Sequence, residues 1–362
     1  MASRLWQKVG ATWWSGGSYD AALPVAMFDF DSTLHEYKKR GPPKELTLAF
    51  LTRLASEFNL VIISNRSSDK ASAFAPVRDY VAELDSATTS RVTVYGPTTH
   101  DRYRKPHTGT WEHYVRRVCN GKALTNFVFY CGDAAGRPGD HSNADAMYAR
   151  NIGVNFITPE ALFYGGSDPW SEPIPAPTLA LPTGDVASTK IQNITSMPHP
   201  CVIIMVGSPA SGKSRIANAI ATARNCVHLS YDTHKTTFDS LFATATAAKH
   251  SIVVDNTNPT AEARAGFVKK GYHIVVCQVT TPRELCFHLN SARCQIDTTG
   301  STKELPAVAI HTYWKRLAPP TEAEIAQYRA APGVLSATLI EVPFELAKDA
   351  SDEVTRMRYS HK

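Results

Sequence analysis

The chain contains no apolar run of about eighteen residues, the length a membrane-crossing helix needs. Residues 1–14 also lack the apolar core of a secretory leader, so the expectation is an intracellular protein, not a secreted one. Cysteine is sparse: seven in 362 residues, an odd number, with no Cys-x-x-Cys pair. That argues against a disulfide framework and a structural zinc site, and for reduced thiols used as small buried hydrophobes. An excess of one charge is missing too. At a net +5 the surface as a whole does not announce a polyanion partner. Basic clusters at Lys38-Lys39-Arg40, Arg102–Lys105, Arg116-Arg117 and Lys269-Lys270 are either solvated faces or short guides for a polyanionic strand. There is no internal repeat. With 43% hydrophobic and 20% charged residues over 362 positions, the chain reads as soluble and globular, with room for two cores.

One stretch differs from the rest. From Gly165 to Pro200 the chain is rich in Pro, Ser, Thr and Gly, with Pro169, Pro173, Pro175, Pro177 and Pro182 in quick succession. Such a composition favours extended structure, so 166–197 is read as a linker between a domain at 1–165 and another at 198–362. On both sides apolar strands alternate with helical stretches. That is the pattern of α/β domains with parallel sheets, whose ligands bind beyond the C-terminal ends of the strands.

The apolar run Cys201–Val206 leads directly into Gly207-Ser208-Pro209-Ala210-Ser211-Gly212-Lys213-Ser214. This is a phosphate-binding loop in its proper context, between a strand and the helix-forming stretch Arg215–Ala223. Glycines let the backbone wrap a polyphosphate, Lys213 reaches the β/γ-phosphates, and the Ser214 hydroxyl is placed to ligate Mg²⁺. ATP and Mg²⁺ are the expected ligands.

The first half opens on Val25-Ala26-Met27-Phe28-Asp29-Phe30-Asp31-Ser32-Thr33-Leu34. An apolar strand delivers two carboxylates to its tip, and side chains two apart on a strand share a face. A carboxylate nucleophile attacking a phosphate dianion needs a cation to relieve repulsion and a second carboxyl to protonate the leaving alcohol. The alternative is a calcium-binding or capping Asp pair. Leu60–Asn65 is a second strand with Ser64 near its tip, Lys105 lies in a basic loop, and Phe127–Cys131 is a third strand ending in Gly132-Asp133. Ser142-Asn143-Ala144-Asp145 has the spacing of a capping box and starts a helix to about Gly153.

Asp-x-Asp-Ser-Thr after a strand resembles the first motif of the haloacid dehalogenase phosphatases. That resemblance implies Asp29 as nucleophile, Asp31 as general acid/base, Ser64 on the transferring phosphoryl group and Lys105 offsetting the local charge. It also implies a Mg²⁺ held by Asp29, Asp31 and Asp133 with one further acid, Asp145 or Asp140. The stretches Tyr103–Trp111 and Gly132–Pro138, then Asn151-Ile152-Gly153 and Thr158-Pro159-Glu160, resemble the phosphatase domain of the eukaryotic polynucleotide kinase 3′-phosphatase family. The phosphate-binding loop, Tyr231-Asp232-Thr233, Asp255-Asn256-Thr257-Asn258 and Tyr313–Arg316 continue the likeness over roughly residues 20–165 and 198–345.

The resemblance implies a dehalogenase-like parallel sheet followed by a P-loop kinase sheet. It makes Asp232 the base that accepts a proton from a 5′-hydroxyl and Arg293 a lid arginine. Asp255 is read either as a metal contact or as part of a loop ordered by the asparagines. Among the departures from the family, no forkhead-associated domain is expected before Asp29, the segments between Leu34 and Asn59 and after Asn65 are short, Arg66 stands where glutamine is usual, Tyr231 where arginine is usual, and Ser291 at the place of a second lid arginine.

The implied substrates are DNA or RNA strand ends, and the implied products are ends that a DNA ligase accepts. Nuclear location is expected from such a role, without a convincing import signal. Two other readings share parts of this inventory: a bifunctional kinase/phosphatase for a small phosphorylated metabolite, and a non-catalytic nucleic-acid-binding scaffold.

Overall fold

The structure, a computed structural model, describes residues 4–68, 70–88, 92–121, 128–166, 184 and 186–346. These fall into two compact units. The first contains the described residues up to 166 together with Ser291–Glu304; the second contains those from 184 to Asn290 and from Leu305 onward.

In the first unit, β1 (Gln7–Val9) and β2 (Thr12–Ser15) form a hairpin. They are followed by β3 (Val25–Phe28), α1 (Lys44–Leu54), β4 (Asn59–Ile63), α2 (Ala71–Ala87), β5 (Val92–Pro97) and α3 (Gly109–Arg117). Then come β6 (Val128–Cys131), α4 (Ala144–Ile152), β7 (Asn155–Ile157) and α5 (Pro159–Tyr164). The sheet order is β1-β2-β5-β4-β3-β6-β7, parallel from β5 to β7, with the hairpin joined antiparallel to β5. β3 and β4 are buried along their whole length, as central strands covered on both faces must be. Alternation along β3 and β4 sends Ala26, Phe28, Leu60 and Ile62 to one core and Val25, Met27, Val61 and Ile63 to the other. The early tryptophans pack against this domain: Trp6 lies edge-on to Phe74 at 5.0 Å and Trp14 to His113 at 4.7 Å.

The second unit begins with α6 (Val186–Thr195), inside the stretch read as linker. The proline run ends at Pro182, and Ala187, Ile191 and Ile194 then recur at helical spacing. Ile194 is fully buried with β8, so this part of the stretch is a packed element of the second domain. Residues 167–183 and 185 lie outside the described residues. There follow β8 (Cys201–Val206), α7 (Lys213–Arg224), β9 (Val227–Leu229), α8 (Tyr231–His234), α9 (Phe238–Ala247), β10 (Ile252–Val254) and α10 (Ala261–Ala265). The chain continues through β11 (His273–Val279), α11 (Arg283–Ile296), α12 (Ala307–Arg316), α13 (Glu322–Ala330) and β12 (Ser336–Val342). The sheet is wholly parallel, in the order β12-β11-β8-β10-β9. From Ser291 on, α11 belongs to the first unit. All seven cysteines are free, six of them buried. No described helix is long and apolar enough to cross a membrane.

Candidate active sites

The tips of β3, β4 and β6 meet at one buried cluster. β3 ends at Phe28, and the amides of Thr33, Leu34 and His35 all turn back to the Phe30 carbonyl. Asp29 and Asp31 therefore lie beyond the strand, and the shared-face argument for them does not hold. Asp29 stays with the sheet through its own amide, which donates to the Cys131 carbonyl at 2.8 Å. Its carboxylate joins those of Asp133 and Asp145, with ligand oxygens within 4.8 Å of one another.

The carboxylate of Asp31 is not one of those three but is held beside them. It accepts from Nη1 of Arg66 at 2.7 Å, and the same nitrogen donates to Oγ of Ser64 at 2.9 Å. Arg66 thus ties the second aspartate to the serine. The sequence marked it only as a departure from the family.

Among the described residues Lys105 is the cation inside the cluster, and it is buried. Its Nζ donates to Asp29 Oδ1 at 2.5 Å, Asp145 Oδ1 at 2.7 Å, the Tyr130 hydroxyl at 2.7 Å and the Ile63 carbonyl at 2.9 Å. Its backbone is held on both sides by Asn65, which accepts from Lys105 N and donates to Lys105 O, each at 3.1 Å. The next residues are held as well. His107 bonds the Ser291 carbonyl at 3.1 Å, and Gln295 accepts from Thr108 N at 3.0 Å, all within the first unit.

Burial disfavours the charge on Lys105, but Asp145 and Asp29 outweigh it and raise its pKa above the ordinary lysine value. One cation does not balance three carboxylates. Burial, opposed by Lys105 and reinforced by Asp145 and Asp31, pushes Asp29 up to about 7. Burial together with Asp29 and Asp145 pushes Asp133 up to about 8. Crowded, dry, hard oxygen donors of this kind fit a Mg²⁺ ion, whose charge would remove the repulsion.

The choice between Asp140 and Asp145 has a geometric basis. Asp140 accepts from the amides of Ala135 and Arg137 and from Arg137 Nε, closing the loop beyond β6. Asp145 faces the cluster. It also accepts from Ala134 N at 3.0 Å and from the Tyr130 hydroxyl. The expected capping box at Ser142 is not formed: α4 has Asn143 as its N-cap without a side-chain bond, because the Asp145 carboxylate is committed to the cluster. Gly132 shows how tight the approach is. A Cβ there would lie 2.5 Å from the Asp145 carboxyl carbon, so only glycine fits. Tyr130 and Asn65 complete this site. Tyr130 carried no signal in the sequence beyond lying in a strand.

In the second unit β8 delivers the loop Gly207–Ser214 at its C-terminal end, and α7 starts at Lys213. Ala210 and Gly212 take left-handed conformations, with φ of +61° and +87°, and bend the loop around a concave backbone. The Ser211 Oγ is buried and, among the described residues, has no hydrogen-bond partner, as a group aimed at a missing phosphate oxygen would be. Ser208, Pro209 and Gly207 complete the wall. A Cβ on Gly207 would meet Ser211 Oγ at 2.9 Å. The Thr281 hydroxyl, just before α11, donates to the Ser211 carbonyl at 2.7 Å and braces the loop.

Lys213 donates to Asp255 Oδ1 at 2.6 Å, and His228 bonds the other oxygen at 3.3 Å. Burial pushes the Asp255 carboxyl up, but bonds from His228, Lys213 and Ser214 and the charge of Lys213 outweigh it and hold the pKa at about 2. Asp255 therefore faces Lys213 and Ser214. Loop ordering falls to Asn258, which donates to the Met205 carbonyl at 2.8 Å, and to Asn256, which accepts from Tyr231 N at 2.9 Å. Asp232 is exposed in the first turn of α8, just past β9. Arg293 lies in the segment grouped with the first unit, where its Nη2 donates to the Lys303 carbonyl at 2.7 Å.

Residues 24–163 match the family described as polynucleotide kinase 3 phosphatase, and residues 185–239 match the Zeta toxin family. A protein of Schizosaccharomyces pombe named bifunctional polynucleotide phosphatase/kinase is 30% identical over 313 residues, spanning 82% of this chain and 71% of that protein. A protein of Acanthamoeba polyphaga mimivirus named for the same pair of activities is 27% identical over 350 residues, 83% of this chain and 82% of that one. A polynucleotide 3′-phosphatase of Saccharomyces cerevisiae is 36% identical over 77 residues, 19% of this chain and 32% of its own length. The carboxylate cluster and the phosphate-binding loop thus sit in a chain that belongs to the bifunctional polynucleotide phosphatase/kinase family.

Proposed function

We propose that the protein heals nucleic-acid strand ends, removing a 3′-phosphate at the first site and phosphorylating a 5′-hydroxyl at the second. The observation that carries the reading is the pairing of two phosphoryl-transfer sites in one chain. One is a dry three-carboxylate cluster around Lys105; the other is a phosphate-binding loop whose lysine is poised on Asp255.

In the first reaction the Asp29 carboxylate attacks phosphorus and becomes an aspartyl-phosphate, while the P–O bond to the 3′-oxygen breaks. Asp31 gives that oxygen its proton and later takes one from the water that hydrolyses the acyl-phosphate. Arg66 keeps Asp31 and Ser64 together, and Ser64 with Lys105 receives the phosphoryl oxygens. Mg²⁺, held by Asp29, Asp133 and Asp145, would supply the charge that lets a carboxylate approach a phosphate.

In the second reaction the loop Gly207–Ser214 holds the ATP phosphates, and Lys213 leaves Asp255 for the transferring group. Asp232 accepts the proton of the attacking 5′-hydroxyl. The substrate is DNA in this reading, with ligation as the following step and the nucleus as the place of action.

The test is one labelled oligonucleotide bearing a 5′-hydroxyl and a 3′-phosphate, incubated with Mg²⁺, with and without ATP. Loss of the 3′-phosphate in both reactions and a 5′-phosphate only with ATP is the expected result. Turnover of small phosphoesters with neither strand end altered would contradict it.

A further inference from the structure

In the second unit Phe238, Tyr272 and Tyr328 are buried, at 0%, 1% and 6% exposure, whereas Tyr231 remains 45% exposed. Its ring is not loose. One face stacks on Phe238 at 4.0 Å with 26° between the planes, and the hydroxyl donates to Asp239 Oδ1 at 3.2 Å. Its amide donates to Asn256 Oδ1 at 2.9 Å, next to the Asp255 that pairs with Lys213. The result is a flat ring fixed on one side and open on the other. It immediately precedes Asp232, the exposed carboxylate assigned to the attacking hydroxyl.

A fixed, half-covered aromatic face accepts another flat π-system, and base–aromatic stacking does not depend on which base is presented. It also costs little entropy here, because the stack on Phe238 and the bond to Asp239 have already removed the ring's rotamer freedom. We propose that the open face of Tyr231 stacks on the terminal nucleobase of the strand that offers its 5′-hydroxyl to Asp232. The contact would set acceptor binding and make the enzyme tolerant of base identity but intolerant of a missing base. The inference rests on the kinase reading above.

The experiment measures KM for two 5′-hydroxyl oligonucleotides at saturating ATP, one with a normal 5′-terminal nucleotide and one abasic at that position. In the wild type the abasic strand should have a KM about tenfold higher, the size expected for one stacked base. In Tyr231→Ala the two strands should become equivalent, and in Tyr231→Phe the difference should persist. A cooperative thermal melt matching that of the wild type reports that each variant is folded. An undiminished base preference in Tyr231→Ala would overturn the proposal, and so would a raised KM for ATP in place of the acceptor. Failure of the wild type to phosphorylate either strand would instead overturn the kinase reading.

Discussion

At the scale of the residue, the phosphatase site is a problem of charge. Among the described residues Lys105 is the cation between three carboxylates, with four oxygen acceptors around its three N–H groups. Lys105→Met should lower 3′-phosphatase turnover by roughly a hundredfold or more, the usual scale for one preorganised charge, and leave 5′-phosphorylation intact. Comparison of single-turnover rates at both ends of one oligonucleotide checks this. The raised acids give a second expectation. With Asp29 at about 7 and Asp133 at about 8, the folded metal-free protein binds protons more tightly than the unfolded chain, whose carboxyls titrate near 3.8. Its stability must then fall as pH rises from about 4 to about 8, and Mg²⁺ affinity must rise over the upper part of that range as protons leave. Melting in EDTA and in Mg²⁺ tests it: the gap in Tm between the two should be wider at pH 8 than at pH 6. An equal gap would contradict the account.

At the scale of the element, the strands that carry the sites were legible because apolar runs followed by chemistry-bearing residues are hard to mistake. β3, β4, β6 and β8 all lie where those runs place them. Side-chain partners were less legible. The capping box read at Ser142 is a spacing argument, and a long-range partner took one of its side chains, Asp145 for the cluster. Arg66 and Tyr130 were missed for the same reason, since their roles come from strands far apart in sequence meeting at one edge.

α10 and α13 show the same limit. Arg264 is fully buried and clamps Glu324 through two bonds of 2.7 and 2.6 Å, while its Nη1 holds the Asn258 carbonyl at 3.1 Å behind the phosphate-binding loop. Neither helix contains a pattern that announces this. Glu324→Gln should destabilise the second domain by about 3 kcal/mol, since it leaves a buried guanidinium without its counter-charge. Urea unfolding followed by a probe confined to that domain would reveal it. A change under about 0.5 kcal/mol, the range of ordinary surface substitutions, would show that the pair contributes little.

At the scale of the molecule, composition and the order of motifs were enough to place two α/β domains and two chemistries. They could not show where one domain ends. α6 lies inside the Pro-rich stretch yet packs into the second core, and Ser291–Glu304 belongs with the first unit although it lies between kinase motifs in sequence. Such exchanges depend on tertiary packing, which local composition does not encode. The central claim is that the carboxylate cluster and the phosphate-binding loop are two separate phosphoryl-transfer sites. The most direct test is to measure both ends of a 5′-hydroxyl, 3′-phosphate oligonucleotide with Asp29→Ala and Lys213→Ala proteins whose folding has been verified. Asp29→Ala should lose 3′-dephosphorylation and keep 5′-phosphorylation, and Lys213→Ala should do the reverse. Loss of both activities from either single change in a folded protein would contradict the account.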